Sequence, residues 1–364
     1  MDLLVRPNKD EIINYNVGTI TLKKDIEYIA NYHWVKHLNC YKTDIRNDNY
    51  NINIDLNNKS LLISRSMGLG DILFLSPIIK KIKDIYPTCK LGFATVSIQH
   101  ELLKYIPGIE EYLDYPIEYK KYQEYDYHFS VSGLIENEKV DKNSNIYLEY
   151  FKHVGIENPD PEEFRPILKV PSNIPEYHPD KYDLPIIGIH PFSGDNMRRL
   201  NLKNIILLCN MLIKEEYDVL LFSNKNEYTQ YNKMFPTAVN WSIKSAEKPI
   251  LNTIIDLKSC KTVLCSDSFI THLCQAIGIN CISIYGPFSP ECRISSYKNI
   301  TIIDTNPDCR CFKHQLNKCP KGFTTSPCLN FDNDFIIKLI NDQSVNLDEL
   351  KINSVTINHY NMGK

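Results

Sequence analysis

Between Ile186 and Tyr285 short apolar runs alternate with amphipathic stretches, and this alternation constrains the chain more than any other feature. Ile186-Ile-Gly-Ile-His190, Val219-Leu-Leu-Phe222, Thr262-Val-Leu-Cys265 and Cys281-Ile-Ser-Ile-Tyr285 read as buried strands. Leu202 to Lys214, Pro249 to Leu257 and Ile270 to Ile277 carry apolar residues at helical spacing. Strands that take turns with helices pair in parallel, because each helix returns the chain to the starting edge of the sheet, so a doubly wound α/β sheet is expected. A second such unit precedes it. Leu61, Leu62 and Ile63 predict a strand, Ile72 to Ile85 a helix, Lys90 to Thr95 a strand and Gln99 to Tyr105 a short helix.

A chain of 364 residues has room for two cores of ordinary size. The expected division is an N-terminal extension over residues 1–58, a Rossmann-like domain over 59–172, a second over 173–330, and a C-terminal helix and tail over 331–364. The extension contains strand-like alternation at Gly18 to Leu22 and Tyr50 to Asp55. Pro171, Pro175, Pro179 and Pro185 break any regular pattern and mark the linker. Phe331 to Ile340 is apolar at helical spacing and is expected to cross back to the first domain. The tyrosine-dense segment Tyr112 to Tyr127 reads chiefly as a half-buried surface, with an acceptor cleft as the rival.

Hydrophobic residues make up 43% of the chain and charged residues 23%, the balance of a soluble globular protein. No apolar run approaches the roughly 20 residues that span a bilayer, and the N-terminus lacks the pattern of a secretory signal. The expectation is a cytoplasmic protein without a transmembrane segment, compatible with peripheral membrane association and with oligomers. A net charge of -3 gives no global attraction to nucleic acid.

Polar loops follow the predicted strands. After Ile63 comes Ser64-Arg-Ser-Met-Gly-Leu-Gly-Asp71, where Gly68 and Gly70 let a ligand approach the main chain and Asp71 is expected at the helix N-cap. Taken alone, Asp71 is a ligand contact or only a cap. After Ile189 comes His190-Pro-Phe-Ser-Gly-Asp-Asn-Met-Arg-Arg199, in which Ser193 and Gly194 offer donors and Arg198 and Arg199 can neutralise a pyrophosphate. After Cys265, Asp267 and Ser268 sit at a helix N-terminus that favours anions, with Thr271 and His272 on its first turn as ligand contacts. Glu227, after Phe222, either accepts hydrogen bonds from a ribose or starts a surface helix. In an open α/β sheet these loops converge on one edge, where ligands bind.

The order of motifs, Met67-Gly-Leu-Gly-Asp71 followed by Pro77, His190-Pro with Arg198-Arg199, Asp267-Ser268 with His272, and Tyr285-Gly-Pro287, resembles the bacterial heptosyltransferases of glycosyltransferase family nine over residues 60 to about 330. That resemblance implies a GT-B fold of two Rossmann-like domains facing a cleft, with a nucleotide-sugar donor, ADP-heptose, bound mainly by the second domain. It implies Asp71 as general base, Arg198, Asp267, Ser268 and His272 as donor contacts, and no catalytic metal. The implied reaction is inverting transfer of a heptose or related sugar to a hydroxyl of a lipopolysaccharide core or other surface glycan. Serine or threonine of an autotransporter adhesin is the alternative acceptor, and a catalytically silent nucleotide-sugar-binding or scaffold protein is the alternative of another class. The sequence departs from the family pattern at Leu200, Phe269 and the extension.

The chain holds 12 cysteines. Cys209, Cys260, Cys265, Cys274 and Cys281 lie in apolar runs and read as small buried hydrophobes. Cys309, Cys311, Cys319 and Cys328 form a cluster suited to a structural iron or zinc ion, because four thiolates suit tetrahedral coordination. Four unrelated thiols are the alternative. The protein heptosyltransferases that modify autotransporter adhesins carry a comparable iron-binding four-cysteine finger and an N-terminal extension, and the sequence is similar to them in both respects.

Overall fold

The computed structural model describes residues 2–15, 18–38, 40–44, 54–134, 144–156, 158–178, 183–244, 249–305, 319 and 327–341. The chain forms two compact units, residues 1–169 and 170–364. Among the described residues no helix is long and apolar enough to cross a membrane.

The first unit opens with strands β1 (Asp2–Pro7), β2 (Glu11–Tyr15), β3 (Gly18–Leu22), β4 (Tyr28–Asn31) and β5 (Cys40–Asp44). The α/β part follows with β6 (Ser60–Ser64), β7 (Lys90–Thr95), β8 (Glu111–Asp114), β9 (Ile117–Glu118) and β10 (Tyr127–Ser130). Strands β6, β7, β8 and β10 pair in parallel in the order β10-β6-β7-β8. The N-terminal strands form an antiparallel sheet, β5-β1-β4-β9, that takes its last strand from the α/β part. The seam is apolar: Ile29 of the extension packs with Leu62, Ala94, Tyr115 and Ile117. Buried Tyr115 donates a hydrogen bond to Asp2 at 3.0 Å. Of the two stretches expected as strands in the extension, Gly18–Leu22 is β3, whereas Tyr50 to Asp55 falls largely outside the described residues.

The tyrosine-dense segment is structural where it is best packed. Tyr125 lies across Gly92, whose missing side chain leaves the room: a Cβ there would stand 2.1 Å from the Tyr125 hydroxyl. That hydroxyl donates to Glu111 at 2.8 Å.

The helix Leu69–Ile85 follows β6 and tolerates Pro77 in its interior. Proline cannot donate to the carbonyl four residues back, so Leu73 would lose its partner. Ser76 replaces it, donating to that carbonyl at 2.6 Å.

The second unit carries β11 (Ile186–His190), β12 (Asp218–Asn224), β13 (Asn240–Lys244), β14 (Thr262–Ser266), β15 (Cys281–Tyr285) and β16 (Ile300–Asp304). All are parallel, in the order β13-β12-β11-β14-β15-β16. This is the doubly wound nucleotide-binding order, which reverses direction between β11 and β14. Helices Leu202–Lys214, Ile250–Lys258 and Phe269–Ile277 cover the sheet. The sequence pattern overlooks β13 and β16. The C-terminal helix Asn333–Asn341 places Ile336, Leu339 and Ile340 in the core of this unit, and Asn204 of Leu202–Lys214 donates to the Phe331 carbonyl at 2.9 Å. Gly286 explains the Tyr-Gly-Pro turn after β15: a Cβ there would meet the Cys328 carbonyl at 2.8 Å, where the chain returns over the strand end.

Candidate active site

In the first unit, the loop after β6 lies at the point where strand order reverses, between β6 and β10. Gly68 holds φ +101°, a conformation that L side chains rarely adopt, and it rather than Asp71 caps the helix. The expected N-cap role is therefore corrected: Asp71 is the third helical residue, and its carboxylate turns back over Gly68. A Cβ on Gly68 would stand 2.2 Å from Asp71 Oδ2. The carboxylate meets Arg65 Nη2 at 3.0 Å. Arg65 is buried; its Nε donates to the Met67 carbonyl and its Nη1 to the Val131 carbonyl, both at 3.0 Å. The Ser66 N–H donates to Ser132 Oγ at 2.9 Å, tying the loop to the one after β10. One guanidinium thus fixes two loops and a carboxylate. The Asp71 side chain keeps 29% of its surface exposed against 8% for Arg65, so the acid, not the base, faces outward. Met67, Gly68, Gly70 and Asp71 are together, as the sequence predicts; Arg65, not identified there, holds them.

In the second unit the loops after β11 and β14 meet at the switch point. His190 Nδ1 lies 3.1 Å from Ser268 Oγ, Ser266 Oγ donates to the Phe192 carbonyl at 3.0 Å, and Ser193 Oγ donates to the Asp267 carbonyl at 3.4 Å. Asp267 is buried between two arginines, with Arg198 Nη1 3.5 Å from Oδ2 and Arg293 Nη1 3.4 Å from Oδ1. Burial would raise its carboxyl, but Arg293 and Arg198 outweigh burial and hold it below its ordinary value. His272 Nδ1 lies 2.9 Å from the Tyr297 hydroxyl, and burial pushes its imidazole down to about 3, so it is neutral at physiological pH. His190 is lowered to about 3 by burial, then by Lys244 and Arg199.

Arg199 donates through Nε to the Ser193 carbonyl at 2.9 Å, and its Nη2 lies 3.8 Å from Glu227. Glu227 closes a capping box: its carboxylate accepts from the Asn224 N–H and its own N–H donates to Asn224 Oδ1, both at 2.9 Å. Burial raises its carboxyl despite Asn224 and Arg199. The helix-start reading of Glu227 thus describes one carboxylate oxygen, while the other lies toward Arg199. Gly194 lies in open space, where a Cβ would have no neighbour within 4 Å.

Thr271 requires correction. Its side chain is fully buried and hydrogen-bonds the Ser266 carbonyl, Ser283 Oγ and Cys265 Sγ, each at 3.0 Å. It braces the floor of the site instead of contacting a ligand, because the third residue of the helix points back into the sheet. In the second unit three groups escaped the sequence reading. Arg293 follows the Gly-Pro turn in a segment without a recognisable motif. Tyr297 lies farther along the same segment. Lys244 ends the overlooked β13, stands 5.3 Å above the Phe269 ring, and is lowered by burial to about 8.

Of the cysteine cluster, Cys319 is buried and Cys328 half-buried, while Cys309 and Cys311 lie outside the described residues. Among the described residues no three His, Cys, Asp or Glu side chains are placed to hold a metal ion. Cys209, Cys260, Cys265, Cys274 and Cys281 are buried free thiols.

The model of glycosyltransferase family 9 (heptosyltransferase) matches residues 131–321. No curated protein sequence matches the chain significantly. Among solved structures, the ADP-heptose LPS heptosyltransferase II of E. coli is 17% identical, with TM-score 0.61, over 80% of this chain and 99% of its own. A family 9 glycosyl transferase of Veillonella parvula is 12% identical, with TM-score 0.59, over 78% of this chain and 97% of its own. The iron-containing dodecameric glycosyltransferase TibC of enterotoxigenic E. coli is 14% identical, with TM-score 0.59, over 93% of this chain and 91% of its own.

Proposed function

The chain belongs to glycosyltransferase family 9, the heptosyltransferases, and from that membership we propose that it transfers a heptosyl group from ADP-heptose to a hydroxyl acceptor with inversion. The observation that carries the donor half is Asp267, buried between Arg198 and Arg293 at the switch point of the nucleotide-binding sheet. Arginine forks suit diphosphate oxygens, and they stabilise negative charge where it develops as the glycosidic bond to the diphosphate breaks. Ser193, Gly194, Ser268 and neutral His272 complete the donor contacts, with Arg199 and Glu227 toward the ribose.

Asp71 supplies the other half as general base. Its carboxylate accepts the proton of the acceptor hydroxyl while that oxygen attacks the anomeric carbon, and ADP departs with the bonding electrons. Arg65 keeps the carboxylate aimed. Asp71→Asn tests this: turnover falls by about 10²- to 10⁴-fold, the usual worth of a general base, while ADP affinity stays at the wild-type value. Unchanged turnover overturns the assignment.

For the acceptor we propose a hydroxyl of a lipopolysaccharide core or related surface glycan, following the lipopolysaccharide enzyme among the structural neighbours. One observation favours a second reading, serine or threonine of an adhesin. TibC covers 93% of the chain, more than remains once the 58-residue extension is removed, whereas heptosyltransferase II covers 80%. We further propose a cytoplasmic enzyme in which Cys309, Cys311, Cys319 and Cys328 hold a structural iron or zinc ion. The ion would cross-link the chain between Cys309 and Cys328 and would take no part in transfer.

A further inference from the structure

We propose that Arg293 is the second arm of a clamp on the departing diphosphate, with Arg198 as the first and Asp267 as the internal spacer between them; the assignment rests on the donor reading above. The two guanidinium groups approach opposite oxygens of a single carboxylate, Arg198 at Oδ2 and Arg293 at Oδ1. Asp267 keeps 4% of its side-chain surface exposed, Arg198 19% and Arg293 16%, so the carboxylate lies beneath and the arginines reach the surface of the site. Contacts of 3.4 and 3.5 Å are long for charge-assisted bonds, which settle near 2.7–2.9 Å. Asp267 therefore holds both guanidinium groups in place, with Arg198 Nη1 also 3.4 Å from the Asp267 carbonyl.

Arg293 is fixed from a second side. Its Cζ stands 4.2 Å from the centre of the Phe288 ring, a stacking distance that holds the plane of the guanidinium in place. A side chain already held this way loses little freedom on binding, which is the advantage of arginine over lysine here. Phe288 follows the Tyr285-Gly286-Pro287 turn at the end of β15, so the switch-point strand β14 and its neighbour β15 each contribute to the clamp. The chemistry recognised is a diphosphate, not a nucleobase or a sugar.

Isothermal titration of the full-length protein with inorganic pyrophosphate, ADP and adenosine tests this. Arg293→Gln should weaken pyrophosphate and ADP by at least about 10-fold, the worth of one charged hydrogen bond, and leave adenosine unchanged. Arg293→Lys, which keeps the charge beside Asp267 and so guards against misfolding, should recover only part of the loss. Phe288→Leu should weaken pyrophosphate several-fold with no change of charge. If wild-type protein binds ADP but the Arg293→Gln and Arg293→Lys proteins, folded by thermal melt, bind pyrophosphate and ADP as tightly, the clamp is refuted and the donor reading stands. An equal loss for adenosine makes Arg293 structural and also refutes it. Wild-type protein that binds neither ADP nor pyrophosphate overturns both readings.

Discussion

Replacing Gly68 by alanine separates the placement of Asp71 from everything else in the fold. At φ +101° a side chain costs of order 1–3 kcal/mol in backbone strain. Steric conflict adds to it, because the new Cβ would stand 2.2 Å from Asp71 Oδ2 and 3.1 Å from Cγ. A carbon and an oxygen settle no closer than about 3.3 Å, so the carboxylate must retreat by about 1 Å. That movement also disturbs its 3.0 Å contact with Arg65. Misplacing a reacting group by about 1 Å costs roughly 10²-fold in rate. Gly68→Ala should therefore lower turnover of ADP-heptose about 10²-fold and Tm by several degrees, with ADP affinity unchanged, because every proposed donor contact lies in the second unit. Gly133→Ala is the control: φ is +79°, so strain is comparable, but a Cβ meets nothing within 4 Å. It should lose stability and keep turnover. The reasoning fails if Gly68→Ala turns over like wild type, or if Gly133→Ala loses as much activity.

Other consequences follow from the same contacts. Arg65→Met takes the arginine donor from the Met67 carbonyl and from the Val131 carbonyl, which keeps the Leu134 N–H at 3.2 Å, and should cost about 1–3 kcal/mol in urea unfolding together with most of the turnover; Arg65→Lys, which cannot fork, should restore less than half of either. Lys244 is lowered to about 8 by burial, below its ordinary 10.5, so the folded state pays for its charge below pH 8 and is relieved as the pH rises toward the unfolded value. Lys244→Met should therefore stabilise the protein by up to about 3 kcal/mol below pH 8, and the gain should vanish above about pH 10.5; a gain that persists at high pH contradicts the burial argument. Chelation of a metal at the cysteine cluster should lower Tm and leave ADP affinity intact, with Cys319→Ser giving the same pattern and elemental analysis showing about one iron or zinc per wild-type chain.

Strand–helix alternation made both parallel sheets legible, because a buried parallel strand is apolar throughout and leaves a plain signal. The edge strand Asn240–Lys244 was not legible: with Trp241 and Ile243 as its apolar residues, it resembles a loop. Without it Lys244 had no place at the strand ends of the sheet. That the loops after Ile189 and Cys265 meet was legible, since parallel strands all end on one edge of the sheet. Arg65 was not, for a basic residue at a strand end looks like the start of a solvated turn; only the pairing of β6 with β10 brings the Val131 carbonyl beneath it. Thr271 shows the opposite error. Its proximity to Asp267 in sequence gave no indication that its helical position turns its hydroxyl toward Ser283. The joining of the extension to the first unit through β9 was equally hidden, because two residues, Ile117 and Glu118, make the connection.

The decisive experiment is mass spectrometry of purified protein incubated with ADP-heptose and, in separate reactions, truncated lipopolysaccharide and a serine-rich adhesin fragment, with Asp71→Asn run alongside. Heptosyl transfer predicts one heptose added to one of the two acceptors with release of ADP, and no addition by the variant. An enzyme that leaves ADP-heptose intact with both acceptors while consuming another nucleotide sugar, or a variant that transfers as well as wild type, contradicts it.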